Sequence, residues 1–327
     1  MRKVREPAVE GMFYPADKGV VFQLFDKLFA SACHKIDSSG SAAHMHDSTK
    51  RNSTKPARIT PRIFIAPHAG YEYSAHVAAC TYCALKNYVG ESTVARKRAS
   101  LGVVKTSASP DTSKNKQYKR FILLGPSHYA YFPGAAVPVT KMWRIFDAKL
   151  TIDQELVAAL RTNPLVIEHD APHVKEHSLE VQLPFLYYLF DTDFTFVPVA
   201  VGEVTAHDIE SLAKTLTNIL KKHPDTAIIV STDLSHYLPL DLAQVVDENT
   251  IQSILTAVNS GKNRQNAMVL KPEQACGANP VNIAIKVAQN LGYSAQLLCY
   301  DTSATASGGA SQVVGYASIV MGRNAKK

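Results

Sequence analysis

The chain has no run of about 18 consecutive apolar residues, the length a helix needs to cross a bilayer, so no membrane span is expected. Its start, Met1-Arg2-Lys3-Val4-Arg5-Glu6-Pro7, is basic with no apolar stretch behind it, which argues against a secretory leader. Cysteine is scarce, 5 in 327 residues. An odd, sparse set fits a reducing, cytoplasmic setting better than a disulfide framework. Charged residues make up only 19% against 46% hydrophobic ones, which excludes a disordered chain and suits a large α/β domain. No internal repeat and no convincing linker divides it, so residues 1–327 read as one domain.

The net charge of +7 first raises the question of a nucleic acid or an anionic surface. Its distribution answers much of it. Residues 91–120 carry +6 and residues 31–62 carry +4, leaving −3 for the rest. Both stretches are rich in Ser, Thr, Ala and Lys and lack helical or alternating periodicity over most of their length. They read as solvated basic insertions at about 33–60 and 91–118. Neither interleaves aromatics with its charges as a single-strand binder does, so nucleic acid is not an expected partner.

Elsewhere short apolar strands alternate with helical stretches. Strands are expected at Arg62–Pro67, Arg120–Pro126, Phe194–Val201 and Thr226–Ser231, with late strands at Ala295–Tyr300 and Val313–Met321. Helices are expected over Tyr73–Asn87, Asp153–Thr162, Ser178–Phe190, His207–Lys222, Leu242–Val258 and Pro280–Leu291. Within His207–Lys222, Ile209, Leu212, Leu216 and Leu220 recur at helical spacing. The alternation predicts an α/β fold with a mainly parallel sheet covered by helices on both faces.

Three of the strands run into the same kind of signal. The first ends in Pro67-His68-Ala69-Gly70-Tyr71, the second in Gly125-Pro126-Ser127-His128, and the third in Ser231-Thr232-Asp233-Leu234-Ser235-His236. Ligands of open α/β sheets bind beyond the carboxyl ends of the strands, so these histidines are expected to converge on one site. Imidazole there serves as a transition-metal ligand or an acid/base. Asp233 and His236, three apart, supply a carboxylate and an imidazole to the same place.

Glu176-His177-Ser178-Leu179-Glu180-Val181-Gln182 reads as a helix start, with Ser178 as cap and Glu176 and His177 at the rim of the crevice. Cys80-Thr81-Tyr82-Cys83 is a CxxC inside an Ala-rich helix with no second pair, so it reads as packing rather than as redox or zinc chemistry. Cys33 and Cys299 carry no signal. Cys276-Gly277 stands in a turn before a helix, where a thiol is placed to ionise and act as ligand or nucleophile.

Taken in order, Ile65-Ala66-Pro67-His68-Ala69-Gly70-Tyr71, Leu124-Gly125-Pro126-Ser127-His128, Glu176-His177-Ser178-Leu179-Glu180, Ser231-Thr232-Asp233-Leu234-Ser235-His236-Tyr237 and Cys276-Gly277 resemble the Memo family. The opening Arg5-Glu6-Pro7-Ala8-Val9-Glu10-Gly11-Met12-Phe13-Tyr14-Pro15 is similar to that family's start. The resemblance implies a single domain like that of the class III extradiol dioxygenases, which are non-haem iron enzymes. It implies a copper or iron pocket with His68, His128 and Cys276 as ligands, and with Asp233 and His236 lining it in a second-shell or acid/base role. Tyr71, Ser127, Glu176 and His177 would form its rim. The dioxygenases use two His and a carboxylate. A Cys in that place softens the site toward Cu(I), leaves iron compatible, and argues against ring cleavage.

Three functions follow as expectations. The first is a metal-dependent redox or metal-handling protein. The second is a non-catalytic adaptor for phosphorylated or acidic peptides in signalling and cell motility, a role the resemblance implies. The third is a metal-independent hydrolase with Cys276 as nucleophile and His236 as base.

Overall fold

The run Thr226–Ser231 shows no polar alternation, and in the computed structural model all of its residues are buried. A strand of this kind needs cover on both faces. The structure describes residues 4–38, 59–89, 118–260 and 269–324. In chain order the strands are β1 (Val4–Arg5), β2 (Ile59–Ala66), β3 (Arg120–Pro126), β4 (Ala135–Val137), β5 (Met142–Ile145), β6 (Ala148–Ile152), β7 (Val166–Glu168), β8 (Thr195–Val201), β9 (Thr226–Ser231), β10 (His236–Leu238), β11 (Ser294–Thr302) and β12 (Val313–Asn324). The helices are α1 (Lys18–Ser38), α2 (Tyr71–Val89), α3 (Gln154–Leu160), α4 (Ala171–Val174), α5 (Leu183–Phe190), α6 (Ala206–Lys222), α7 (Leu240–Asn259), α8 (Ala278–Leu291) and α9 (Ala304–Ser307). A 3-10 turn, Glu180–Gln182, leads into α5.

Among the described residues the strands form one sheet, ordered β1-β5-β6-β8-β3-β9-β2-β12-β10, with β11 on β12 and with β4 on β7 and β8. Its centre, β6-β8-β3-β9-β2, is parallel throughout. Antiparallel pairs flank it, β5 on β6 and β12 on β2. The fold is therefore α/β with a mainly parallel core, as the alternation of strands and helices predicts. Ile228 on β9 pairs with both Ile63 on β2 and Ile122 on β3. These three neighbours thus stand level and end at one edge, which decides where the site lies.

Helices α1 and α2 pack together on the β2 and β12 side, and α6 packs on α8 against β3 and β9. Phe64, Leu123 and Ile229 are completely buried between the layers. Burial of each is worth roughly 1.5–3 kcal/mol. An aromatic stack joins three helices: Phe185 lies 4.1 Å from Phe25 and 4.5 Å from Tyr82, centroid to centroid. Helix α6 starts on a reciprocal cap in which the Thr205 hydroxyl accepts from Asp208 N and the Asp208 carboxylate accepts from Thr205 N. Its Ile209, Leu212, Leu216 and Leu220 are all buried.

Three expectations need correction. The basic stretch taken to begin at about residue 33 starts inside a helix, because α1 runs to Ser38. Most of both proposed insertions lies outside the described residues. Ser178 does not cap a helix: its hydroxyl donates across the sheet edge to Pro126 O at 3.1 Å, and only a 3-10 turn follows. The cysteines are not all reduced either. Cys33 on α1 is disulfide-bonded to Cys83 on α2, with their Cα atoms 5.6 Å apart. The packing of α1 on α2 brings the two thiols together across a sequence separation of 50, which no local pattern announces. No helix among the described residues is long and apolar enough to cross a membrane.

Candidate metal centre

Strands β2, β9 and β3 deliver His68, Asp233 and His128 to one edge because each is followed directly by its turn. Ala66 pairs with Ser231, and Thr232 N donates back to Ala66 O at 3.0 Å. The two strand ends therefore leave the sheet as a bonded pair. Asp233 is fully buried and accepts from the backbone N of His68 at 2.7 Å. Burial pushes its carboxyl up to about 7, and the hydrogen bonds from His68 and Ala69 only partly offset this. Asp233 thus anchors the loop that carries His68.

Cys276 reaches the same point from the turn before α8. Its Sγ lies 3.2 Å from His68 Nε2 and accepts from Asp233 N at 3.3 Å. Gly277 permits this approach, since a Cβ there would fall 2.7 Å from Ser231 O. The expectation of an ionised thiol is corrected here. Burial and the nearby Asp233 push Cys276 up to about 12. Its imidazole partner is His68, not His236, as the hydrolase reading requires.

The ligand atoms of His68, His128 and Cys276 lie within 4.8 Å of one another. Two hydrogen-bond systems set the imidazoles toward this point. Ser231 Oγ donates to Ser178 O at 2.6 Å, and a carbonyl can only accept, so the one hydroxyl hydrogen is committed. Ser231 Oγ also accepts from Gln182 Nε2 at 2.9 Å. The amide orientation is fixed, because the same Nε2 donates to Pro67 O while Tyr82 OH donates to Oε1. The contact of 3.0 Å between Ser231 Oγ and His68 Nδ1 therefore requires Nδ1–H. The lone pair of His68 is on Nε2, facing Cys276.

His128 is set by a different group. Glu176 is wholly buried and receives His128 N at 2.6 Å, His128 Nδ1 at 2.9 Å and Ser178 N at 2.9 Å. Burial opposes its ionisation, but the hydrogen bonds from His128 and Ser178 outweigh it and draw the carboxyl down to about 2. An ionised carboxylate only accepts, so His128 also carries its proton on Nδ1. Glu176, His128 and His177 form a second cluster with ligand atoms within 4.8 Å. Glu176 already serves three N–H donors there, which makes it an orienting group for His128.

His177 stacks on His128, centroids 4.7 Å apart, and packs against Phe13 at 4.6 Å. Burial lowers it to about 4 despite Glu176 beside it. Its Nδ1 is buried without a hydrogen bond. Burial likewise holds His68 well below its usual range, with the neighbouring histidines adding to the effect. His236 lines the same cavity, its Nδ1 2.8 Å from Leu234 O, and burial lowers it as well. Glu180 ties down the N-terminal arm by accepting from Arg5, Ala8 N, Val9 N and Tyr14 OH. That arm is what places Phe13.

Above the cluster opens a cavity of about 1020 Å³. Three residues expected at its rim stand elsewhere, and Glu176 is one of them, wholly buried beneath His128. Tyr71 is buried with its hydroxyl donating to Val181 O, and Ser127 Oγ donates to Ala130 O.

The family profile described as Memo-like protein matches residues 99–320. A MEMO1 family protein of Methanopyrus kandleri is 32% identical over 98% of this chain and 99% of its own length. One from Sulfolobus acidocaldarius is 31% identical over 98% of this chain and 99% of its own. The chain belongs to the Memo family. An uncharacterised Escherichia coli K12 protein of known crystal structure is similar over 63% of this chain and 87% of its own, at 11% identity and a TM-score of 0.42.

The motifs that carry the Memo resemblance all meet at this cluster. Ser231 stands inside one of them and Gln182 two residues past another, yet their part in setting His68 was not foreseen. Phe13, Tyr73, Tyr237, Tyr316 and Glu273, which line the cavity, were also missed as site residues. Of these only Phe13 and Tyr237 fall within a family motif.

Proposed function

We propose that this Memo-family chain holds a transition metal, copper or iron, through His68, His128 and Cys276, and serves a redox or metal-handling role. One observation carries the reading: the buried His68 and the more exposed His128, each fixed with Nδ1–H by its own partner, have their ligand atoms within 4.8 Å of each other and of a cysteine sulfur. Two imidazoles and a thiolate suit Cu(I) and remain compatible with Fe(II). The metal, once bound, would supply one-electron exchange. The protein's part is to hold both lone pairs ready, to hold the sulfur against His68, and to anchor the His68 loop through Asp233.

The test is elemental analysis of protein purified without oxygen, beside the His68→Ala and His128→Ala variants. Stoichiometric copper or iron in the parent and its loss in both variants is expected. Full retention in both overturns the proposal. The adaptor reading is left with histidines as its anion donors, because no Lys or Arg is among the described residues that line the cavity.

A further inference from the structure

The wall above the metal cluster has a chemistry of its own. Beside the four histidines His68, His128, His177 and His236, the rings of Phe13, Tyr73, Tyr237 and Tyr316 line it, together with two acids, Asp233 and Glu273. Lysine and arginine are absent from the described lining, although the chain as a whole is at +7. The two acids are not equivalent. Asp233 is spent on the backbone N–H groups of the His68 loop. Glu273 is exposed on the turn before Cys276 and makes no ion pair among the described residues, and Lys271, two residues before it, is not part of the lining.

An anionic ligand entering this chamber would lose hydration with no lysine or arginine among the described lining residues to replace it, a heavy cost for a carboxylate or phosphate. An ammonium group meets the opposite situation, with a free carboxylate and the negative faces of tyrosine rings. The volume leaves room for an aromatic or aliphatic body besides the charged end.

We infer that the cavity takes an organic cation, a protonated amine on an apolar or aromatic body, with Glu273 and the tyrosine rings as its selecting wall. The inference rests on the reading above only in taking this chamber as the site where the protein meets its small molecule. It does not require that a metal be bound.

The test is calorimetric titration with phenethylamine, 3-phenylpropionate, phenyl phosphate and 2-phenylethanol, on the protein as purified and on His68→Ala. Phenethylamine is expected to bind about tenfold tighter than either anion in both proteins. Glu273→Gln should weaken the amine about threefold or more and leave the neutral alcohol unchanged. Binding of either anion to the His68→Ala protein as tight as that of the amine overturns the inference, and so does an amine that fails to bind or is indifferent to Glu273→Gln. The outcomes separate the two proposals. Metal retained by both His68→Ala and His128→Ala, with the amine preference intact in His68→Ala, removes the metal assignment alone. Metal lost with the anions preferred removes this inference alone.

Discussion

The Ser231 hydroxyl stands 3.0 Å from His68 Nδ1 and has no proton to give it, because that proton is held by the Ser178 carbonyl at 2.6 Å. A serine at the end of a buried strand thereby decides which nitrogen of a histidine faces the pocket. Ser231→Ala removes the acceptor. The His68 ring is then expected to populate both tautomers, read as a change in its long-range ¹H–¹⁵N correlation pattern. Metal affinity should fall about 10- to 100-fold, the usual cost of losing such a partner. A purely packing role would lower thermal stability and leave the nitrogen shifts of His68 as they are.

Glu176 does the same for His128 with a charge instead of a hydroxyl. In Glu176→Gln the new NH₂ must face one of three N–H donors, from His128 or Ser178. A clash of donors in a buried site costs roughly 1–3 kcal/mol. Denaturant melts should show that loss, along with weaker metal binding. The acid dependence has a definite sign. The carboxyl falls from 4.5 to about 2 on folding, so its contribution is complete above the ordinary value and is lost as pH drops toward the lower one. The variant should show a shallower acid limb across that window. A limb as steep as the parent's would remove Glu176 from this role.

How the metal cluster could be read from the chain, and its supports could not, follows from what each residue bonds. His68, His128 and the Asp233 loop each follow an apolar run closed by a turn, and a parallel sheet brings such ends to one edge. Ser231 and Gln182 act through hydrogen bonds to atoms far off in sequence, which leave no periodicity behind. Ser178 carries the signature of a cap yet bonds across to Pro126. Helix α1 escaped notice because it leads without a stop signal into the basic stretch, and the Cys33–Cys83 bond depends on how that helix packs. Cys276 was found, but its ionisation was misjudged, because a turn before a helix also proved to be a buried one.

That burial makes a prediction of its own. A thiol pushed up to about 12 is protonated at neutral pH, and metal ligation needs the thiolate. Burial keeps His68 neutral, so it contributes no proton. Loading should therefore release about one proton per metal, and affinity should rise about tenfold per pH unit below the thiol value. Titration calorimetry in buffers of differing ionisation enthalpy measures this count. In Cys276→Ser the release should fall toward zero and Cu(I) affinity should drop steeply. Proton-free loading of the parent would mean that the sulfur is not a ligand.

Gly277 is the remaining hinge of the cluster, because it lets the Cys276 turn lie against the ends of β9 and β2. A methyl group there would fall 2.7 Å from both Ser231 O and Thr232 Cβ, closer than such atoms can approach. Neither neighbour yields easily. Ser231 is held in the sheet, and Thr232 Oγ1 accepts from Gly277 N at 2.9 Å. Gly277→Ala is therefore expected to cost roughly 1–3 kcal/mol, the range for forced overpacking. It should also move the sulfur away from His68 Nε2, weakening metal binding beyond what the stability loss accounts for. Comparing it with Gly292→Ala controls for glycine as such. Gly292 lies far along the chain after α8, at a φ of 64°, where a Cβ meets nothing within 4 Å, so that substitution is strained but leaves the pocket alone. Metal affinity unchanged in Gly277→Ala would show that the turn tolerates the displacement and that the sulfur's position is set elsewhere.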